Sequence, residues 1–217
     1  MTTSGKVACA VIALTGLAGV TAGTQHYLLA APETPAPAVA VVAVAQTSPP
    51  RAVPKKPTVA KVQKWVKIYS GPSATDLKPP KSTKGSRVVE LNVTPNDQIG
   101  DYVSDGAGRT LYRFDDDSAT PPRSVCNGDC AKTWPPLLIK SPGKIYPNGI
   151  NPKILGYVER ADGHCQVTID GHPVYYFSGD TKAGDYRGQG LANKWFAVTA
   201  TGGRTHFLFD NPPSTKD

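Results

Sequence analysis

The sequence lacks the short motifs that identify most hydrolases and nucleotide-binding enzymes. Its 217 residues contain no Gly-x-Ser-x-Gly nucleophile elbow and no His-Glu-x-x-His zinc motif. The Gly-rich stretch from Gly179 to Gly190 lacks the Lys-Ser/Thr ending of a phosphate-binding loop. No constellation of residues therefore predicts catalysis, and the sequence favours a protein that is not an enzyme.

Acidic residues are scarce in one part of the chain. Between residues 51 and 88 there are ten Lys or Arg and one acid, Asp76, whereas residues 89–217 hold 13 basic and 15 acidic residues. Residues 31–88, rich in Pro and Ala at their start, are therefore predicted to form a disordered basic linker. Within it, residues 65–69 fit a short strand or a helical turn equally well. We expect the linker to adhere to an anionic cell-envelope surface, and no nucleic-acid motif accompanies the charge.

One long apolar run is present, at the N-terminus. It extends from Val7 to Gly23 and follows Lys6, as in the core of a signal peptide, and it is also just long enough for a short membrane anchor. Residues 1–30 are assigned to one or the other. Both alternatives place the rest of the chain outside the cytoplasm, either secreted or anchored at the cell surface, with the membrane as a partner if the segment is not cleaved.

Cysteine is rare, and only three cysteines follow the apolar run. Cys126 and Cys130 are separated by three residues that include Gly128, and an extracytoplasmic location permits a disulfide between them. Cys165 is then free or pairs in place of one of the two. The spacing matches neither a thioredoxin site nor a zinc site.

An internal repeat is the most informative feature of the sequence. Its first copy contains Tyr112, Phe114 and Asp117, and its second contains Tyr175, Phe177 and Asp180 at an offset of 63. A tryptophan follows each copy, Trp134 and Trp195, at an offset of 61. Residues two apart on a strand share a face, so each Tyr and Phe should lie together, and the Asp that follows is typical of a turn.

The residue types around the repeats predict the fold. Short runs of β-branched and aromatic residues alternate with Gly and Asp turns over residues 89–217. We expect a mainly β fold, namely a small antiparallel β domain built from two diverged repeats, about 98–140 and 154–204, with little helix. His164 and His172 flank a predicted hairpin that holds Cys165, and these three are weak candidates for a metal site. No other cofactor is predicted.

These residues resemble a family of bacterial secreted or lipid-anchored proteins, which is defined by a Tyr-x-(Phe/Trp/Tyr)-x-x-Asp signature within a secreted repeat. The segment from Cys126 to Trp134 and the Gly-rich stretch before Trp195 also resemble that family. The resemblance covers about residues 98–204 and implies an extracytoplasmic domain, but it brings no established activity. This chain departs from the pattern because it has no lipobox cysteine and because Cys165 is additional.

Two functional hypotheses follow from these patterns. The first is a non-catalytic binding or structural module of the cell envelope. The second is a redox or metal-handling protein of the copper type, which would use the three cysteines and the nearby histidines. The sequence identifies no particular protein partner for either.

Overall fold

The computed structural model describes residues 56–75, 77 and 85–208, so the predicted signal peptide or anchor (1–30) lies outside the described residues. Within them the chain forms twelve strands: β1 Val59–Gln63, β2 Val66–Tyr69, β3 Ser86–Thr94, β4 Tyr102–Asp105, β5 Tyr112–Phe114, β6 Ser118–Ala119, β7 Pro122–Arg123, β8 Leu138–Asn148, β9 Leu155–Glu159, β10 Cys165–Ile169, β11 His172–Tyr175 and β12 Trp195–Ala197. One short α-helix, α1 Asp129–Thr133, and two 3₁₀ turns, Pro152–Ile154 and Leu191–Asn193, accompany them. No helix in this part of the chain is long and apolar enough to span a membrane.

Ten of the strands form one sheet, and β6 and β7 form a separate two-stranded pair. The long strand β8 is the hub of the sheet, with β2, β3 and β10 as its neighbours. The prediction of a mainly β fold with little helix is confirmed, but the sheet is mixed, because β8 runs parallel to both β2 and β3. These two strands lie upstream of the expected repeats, which is why the repeat pattern alone predicted antiparallel pairing.

The basic segment assigned to the linker supplies strands to this sheet. β1 and β2 form a hairpin, and β2 continues along β8. Val66 and Ile68 are buried at 1% and 0% exposure, whereas Lys67 between them is exposed. The prediction of a disordered linker through residue 88 is therefore wrong for β1, β2 and the start of β3. The frequent lysines concealed the alternation of buried and exposed positions that marks a strand.

Side chains of β1 cover the open edge of β9. The Gln63 amide donates from Nε2 to the Tyr157 carbonyl at 3.0 Å, and its Oε1 accepts from the Tyr157 amide at 3.1 Å. Lys61 Nζ donates to the Leu155 carbonyl at 2.8 Å. Backbone groups on an edge strand need partners, and here the hairpin provides them. The hairpin is thereby fixed to the second repeat.

The two repeats fold alike and meet along β5 and β11. These strands pair antiparallel, with Tyr112 directly opposite Tyr175. The chain turns after the strand in each copy. In the first copy the Asp117 amide donates to the Phe114 carbonyl at 3.2 Å, and in the second the Asp180 amide donates to the Phe177 carbonyl at 3.1 Å. The expected strand leading into an aspartate turn is therefore present in both copies.

Two clusters of buried side chains stabilise the domain. The larger is mostly aliphatic and lies under the main sheet, with members such as Ile68, Leu91, Val103, Leu111, Ile145, Leu155, Val167, Ile169 and Val174. The smaller is mostly aromatic and consists of Ile99, Tyr102, Tyr112, Cys126, Trp134, Tyr175, Trp195 and Ala197, with Phe114 and Phe177 packed against it. The repeat signature therefore lies in the second cluster, at the junction of the two copies.

Candidate functional site

The tyrosines and aspartates of the repeat signature bond across the junction. Tyr112 Oη donates to Asp180 Oδ2 at 2.7 Å, and Tyr175 Oη donates to Asp117 Oδ2 at 2.6 Å. Each tyrosine thus uses the aspartate of the other repeat rather than its own. The signature encodes a reciprocal contact between two copies, a pairing that the sequence spacing did not reveal.

The second oxygen of each aspartate fixes a neighbouring loop. Asp117 Oδ1 accepts from the Val125 amide at 2.8 Å, and Asp180 Oδ1 accepts from the Arg187 amide at 2.9 Å. The two carboxylates are therefore fully engaged and hold equivalent loops in the two repeats. Their role in the described structure is to join strands, tyrosines and loops.

Burial dominates the electrostatics of these groups. It raises the pKa of Asp180 to about 6 and raises the pKa of Asp117 as well, although the tyrosine hydroxyls oppose both shifts. Burial and the adjacent carboxylates raise the pKa of Tyr112 and Tyr175 far above the ordinary phenol range. The tyrosines accordingly stay protonated and act as donors.

The aromatic side chains of the signature form a stack of four rings. Trp134 and Trp195 lie face to face, with centroids 3.8 Å apart and planes at 1°. Phe114 stacks on Trp195 at 4.1 Å, and Phe177 contacts Trp134 at 4.4 Å. Successive rings come from alternate repeats. The tryptophans are 6% and 5% exposed, so the stack is core packing between the repeats and not an open ligand surface.

Gly188 allows the aromatic stack to close against the Gly-rich stretch. A Cβ at this position would lie 2.8 Å from rings of both Trp134 and Tyr112. Its amide also donates to Tyr112 Oη at 3.2 Å. This stretch resembles part of the secreted-repeat family and lacks the ending of a phosphate-binding loop. In the structure, Gly188 lets the backbone approach the rings of Trp134 and Tyr112 closely, which a residue with a Cβ would not permit.

The cysteine loop carries the predicted disulfide. Cys126 and Cys130 are bonded, with Cα atoms 5.2 Å apart, and Cys165 is free and half-buried. Arg160, which the sequence analysis did not single out, is 5% exposed and holds this loop by donating to the Cys126 carbonyl at 2.8 Å. It also donates to Gln166 Oε1 at 2.6 Å and to Ser124 Oγ at 2.7 Å.

The three metal candidates are not brought together. The turn between β10 and β11 is at Asp170 and Gly171, so His172 pairs with Ile169. His164 precedes the other end of β10, roughly 16 Å away at about 3.3 Å per residue. The two histidines therefore do not face each other across the hairpin, because the turn lies next to His172 and not midway between them.

The histidines also have unlike surroundings. His164 is exposed and contacts Asp162 at 3.2 Å, whereas His172 is half-buried. Burial, and then the charge of Arg113, lower the pKa of His172. Within residues 56–75, 77 and 85–208, no group of three or more His, Cys, Asp or Glu side chains could hold a metal ion.

A second surface, which sequence reasoning missed, is provided by residues 56–70, here called the basic hairpin. It contains Lys64 and Trp65 at the turn between β1 and β2, and Lys67 and Val62 are paired across its strands. All four side chains are exposed, Trp65 at 70% and Val62 at 57%. From residue 51 to residue 75 the chain holds six Lys or Arg and no acid. The hairpin therefore presents positive charge next to apolar side chains.

A comparison with known families identifies the repeat. Residues 93–138 and 156–199 match the model of a family described as a secreted repeat of unknown function. The model matches the chain twice, and the two matches coincide with the two copies of the internal repeat. No curated protein and no solved structure matches the chain. The matched ranges begin in β3 and β9, the first strands of the two repeats, and the family's description as secreted agrees with an extracytoplasmic location.

Proposed function

We propose that this secreted-repeat protein is a non-catalytic binding module of the cell envelope, which attaches to an anionic surface through the basic hairpin. The observation that carries the proposal is the position of this hairpin. Its positive charge belongs to two strands of the folded sheet, β1 and β2, and not to a loose linker. A fixed array of charge gives up less conformational freedom on binding than a flexible one.

The contacts of the repeat signature support a structural role for the domain itself. The tyrosines and aspartates of the signature form hydrogen bonds with each other and with nearby loops; these residues are Tyr112, Asp117, Tyr175 and Asp180. The tryptophan stack is buried between the repeats. The signature thus holds two copies together, and the binding surface is assigned elsewhere on the domain.

The charges of the hairpin contribute to surface attachment. Lys64 and Lys67 are exposed, and no salt bridge involves either of them among the described residues. A lysine close to an anionic surface contributes about 1 kcal/mol to binding, so the two together contribute about 2 kcal/mol, or about 30-fold in affinity. Lys56 and the basic residues on either side of the hairpin add to this attraction.

The test compares two double variants of the full-length chain that lose the same charge. Lys64→Gln with Lys67→Gln removes charge from the hairpin, and Lys132→Gln with Lys182→Gln removes it from exposed positions in the repeats. Binding to purified envelope fractions is measured by co-sedimentation at low salt. We expect about 30-fold weaker binding for the hairpin variant and little change for the control. Equal binding by both variants would contradict the proposal.

The redox or metal-handling hypothesis has less structural support. Cys126 and Cys130 are already bonded to each other, and Cys165 is at the opposite end of β10 from the turn that precedes His172. Burial raises the pKa of the Cys165 thiol, which disfavours the thiolate that soft metals and redox partners require.

A further inference from the structure

Trp65 is the most exposed large hydrophobic side chain of the described residues. It is 70% exposed at the turn of the basic hairpin, whereas Trp134 and Trp195 are 6% and 5% exposed. Trp65 does not contribute to the hydrophobic core, since Val66 and Ile68 supply the buried side chains of this segment. Exposed valines, leucines and isoleucines are common on protein surfaces, but an indole that is this open is costly to leave in water.

The backbone holds Trp65 firmly in this exposed position. Its carbonyl accepts a hydrogen bond from the Gly143 amide of β8 at 3.0 Å. On either side of the turn, Gln63 and Val66 are paired across the hairpin. The Gln63 side chain is in turn bonded to the backbone of Tyr157. The tip is therefore a rigid projection of the sheet, and it needs little reordering to meet a flat partner.

The neighbours of Trp65 in the chain combine positive charge with apolar surface. Lys64 precedes it in the turn, Lys67 follows in β2, and Val62, which is 57% exposed, is paired with Lys67. No acidic residue occurs between residues 51 and 75. An aromatic side chain of this kind prefers the interface between lipid headgroups and acyl chains, while lysine side chains extend their ammonium groups to the phosphates.

We propose that the tip of the basic hairpin inserts Trp65 into the interface of a bilayer that contains anionic lipids, with Lys64 and Lys67 binding the headgroup phosphates. This inference rests on the proposed function and specifies its partner. A lipid surface fits better than an anionic wall polymer, because a soluble polyanion would satisfy the lysines but offers no apolar layer for the indole and for Val62. Insertion of the indole and attraction of the lysines act on the same surface and reinforce each other.

Trp65 fluorescence tests the insertion directly. The full-length chain is mixed with vesicles of phosphatidylglycerol and phosphatidylcholine, or of phosphatidylcholine alone, with and without brominated acyl chains. Subtracting the spectrum of Trp65→Phe removes the contribution of the two buried tryptophans. We expect a blue shift and quenching of Trp65 emission by the brominated anionic vesicles, with a much weaker effect on the neutral ones.

Binding of matched variants gives a second readout. Trp65→Ser should lower affinity for the anionic vesicles roughly tenfold or more, on the basis of the apolar area of an indole. Leu191→Ser, at a position that is 40% exposed in a 3₁₀ turn of the second repeat, is the control and should bind as the unsubstituted chain does. The N-terminal segment is present in every variant, so differences between them report on the tip. Urea unfolding checks that each variant remains folded.

The outcomes separate this inference from the proposed function. If Trp65 emission is not quenched and Trp65→Ser binds vesicles unchanged, the insertion is overturned. The proposed function still stands in that case, provided that Lys64→Gln with Lys67→Gln weakens binding to envelope fractions. If that double variant binds envelopes normally, the proposed function fails, while quenching of Trp65 by brominated lipid would still support insertion.

Discussion

The reciprocal hydrogen bonds between the repeats can be removed one hydroxyl at a time, by Tyr112→Phe or by Tyr175→Phe. Both tyrosines are fully buried, and their partners Asp180 and Asp117 lie at 2.7 Å and 2.6 Å. Phenylalanine keeps the ring contacts, so the change isolates the polar contact. A hydrogen bond to a charged group contributes about 1.5–3 kcal/mol, and we expect each variant to lose about 2 kcal/mol of unfolding free energy at neutral pH.

The size of this loss should depend on pH. The pKa of Asp180 is raised to about 6, so near pH 4 its carboxyl is mostly protonated and the bond from Tyr112 is one between neutral groups, worth about 1 kcal/mol. Above pH 7 the same bond is charge-assisted and stronger. Because the Tyr112 hydroxyl lowers the pKa of Asp180, its removal raises that pKa further. The destabilisation by Tyr112→Phe is therefore expected to grow between pH 4 and pH 8.

Urea unfolding followed by tryptophan fluorescence measures these losses at each pH. Tyr157→Phe is the matched control, since Tyr157 is 8% exposed and its hydroxyl has no hydrogen-bond partner among the described residues. The reasoning would be refuted if Tyr112→Phe and Tyr175→Phe were no more destabilising than this control. Equal losses at pH 4 and pH 8 would refute the electrostatic part alone.

Two further changes test the junction between the repeats. Asp180→Asn removes a group whose pKa burial raises from 3.8 to about 6. The folded state of the unsubstituted chain therefore binds this proton more tightly than the unfolded state does. Measured by urea unfolding, the unfolding free energy of the unsubstituted chain, relative to that of Asp180→Asn, should fall as pH rises from 4 to 6 and level off above pH 7. Gly188→Ala brings a Cβ within 2.8 Å of two buried rings and should cost about 1–3 kcal/mol in the same assay, whereas Gly71→Ala, with nothing within 4 Å, should be almost neutral.

The repeat signature was predictable from the sequence, but its contacts were not. The offset of 63 between Tyr112 and Tyr175 showed that two copies exist, and aromatic residues two apart predicted a shared face. An offset cannot say whether Tyr112 meets Asp117 or Asp180, because that depends on how the copies are arranged. Antiparallel pairing of β5 with β11 brings each tyrosine to the aspartate of the other copy.

A short strand was one of two alternatives for residues 65–69, but its pairing in the basic hairpin was missed because the local composition resembles that of a linker. Lysine at positions 61, 64 and 67 raised the polarity of the segment, and Pro occurs shortly before and after it. The strands are stable through distant partners, β8 for the buried Val66 and Ile68, and β9 for the side chains of β1. Such non-local pairing overrides local propensity, and no short window of sequence contains it. Arg160 was missed for the same reason, since its acceptors Ser124 and Cys126 are far away in the chain.

The dependence of envelope binding on salt tests the central claim most directly. The full-length chain and the double variant Lys64→Gln with Lys67→Gln are bound to envelope fractions at salt concentrations from about 0.1 M to about 1 M, over which the Debye length falls from about 10 Å to about 3 Å. We predict that the affinity gap between them is largest at low salt and closes as salt rises. A gap that is absent at low salt, or one that does not change with salt, would contradict attachment through the charges of the hairpin.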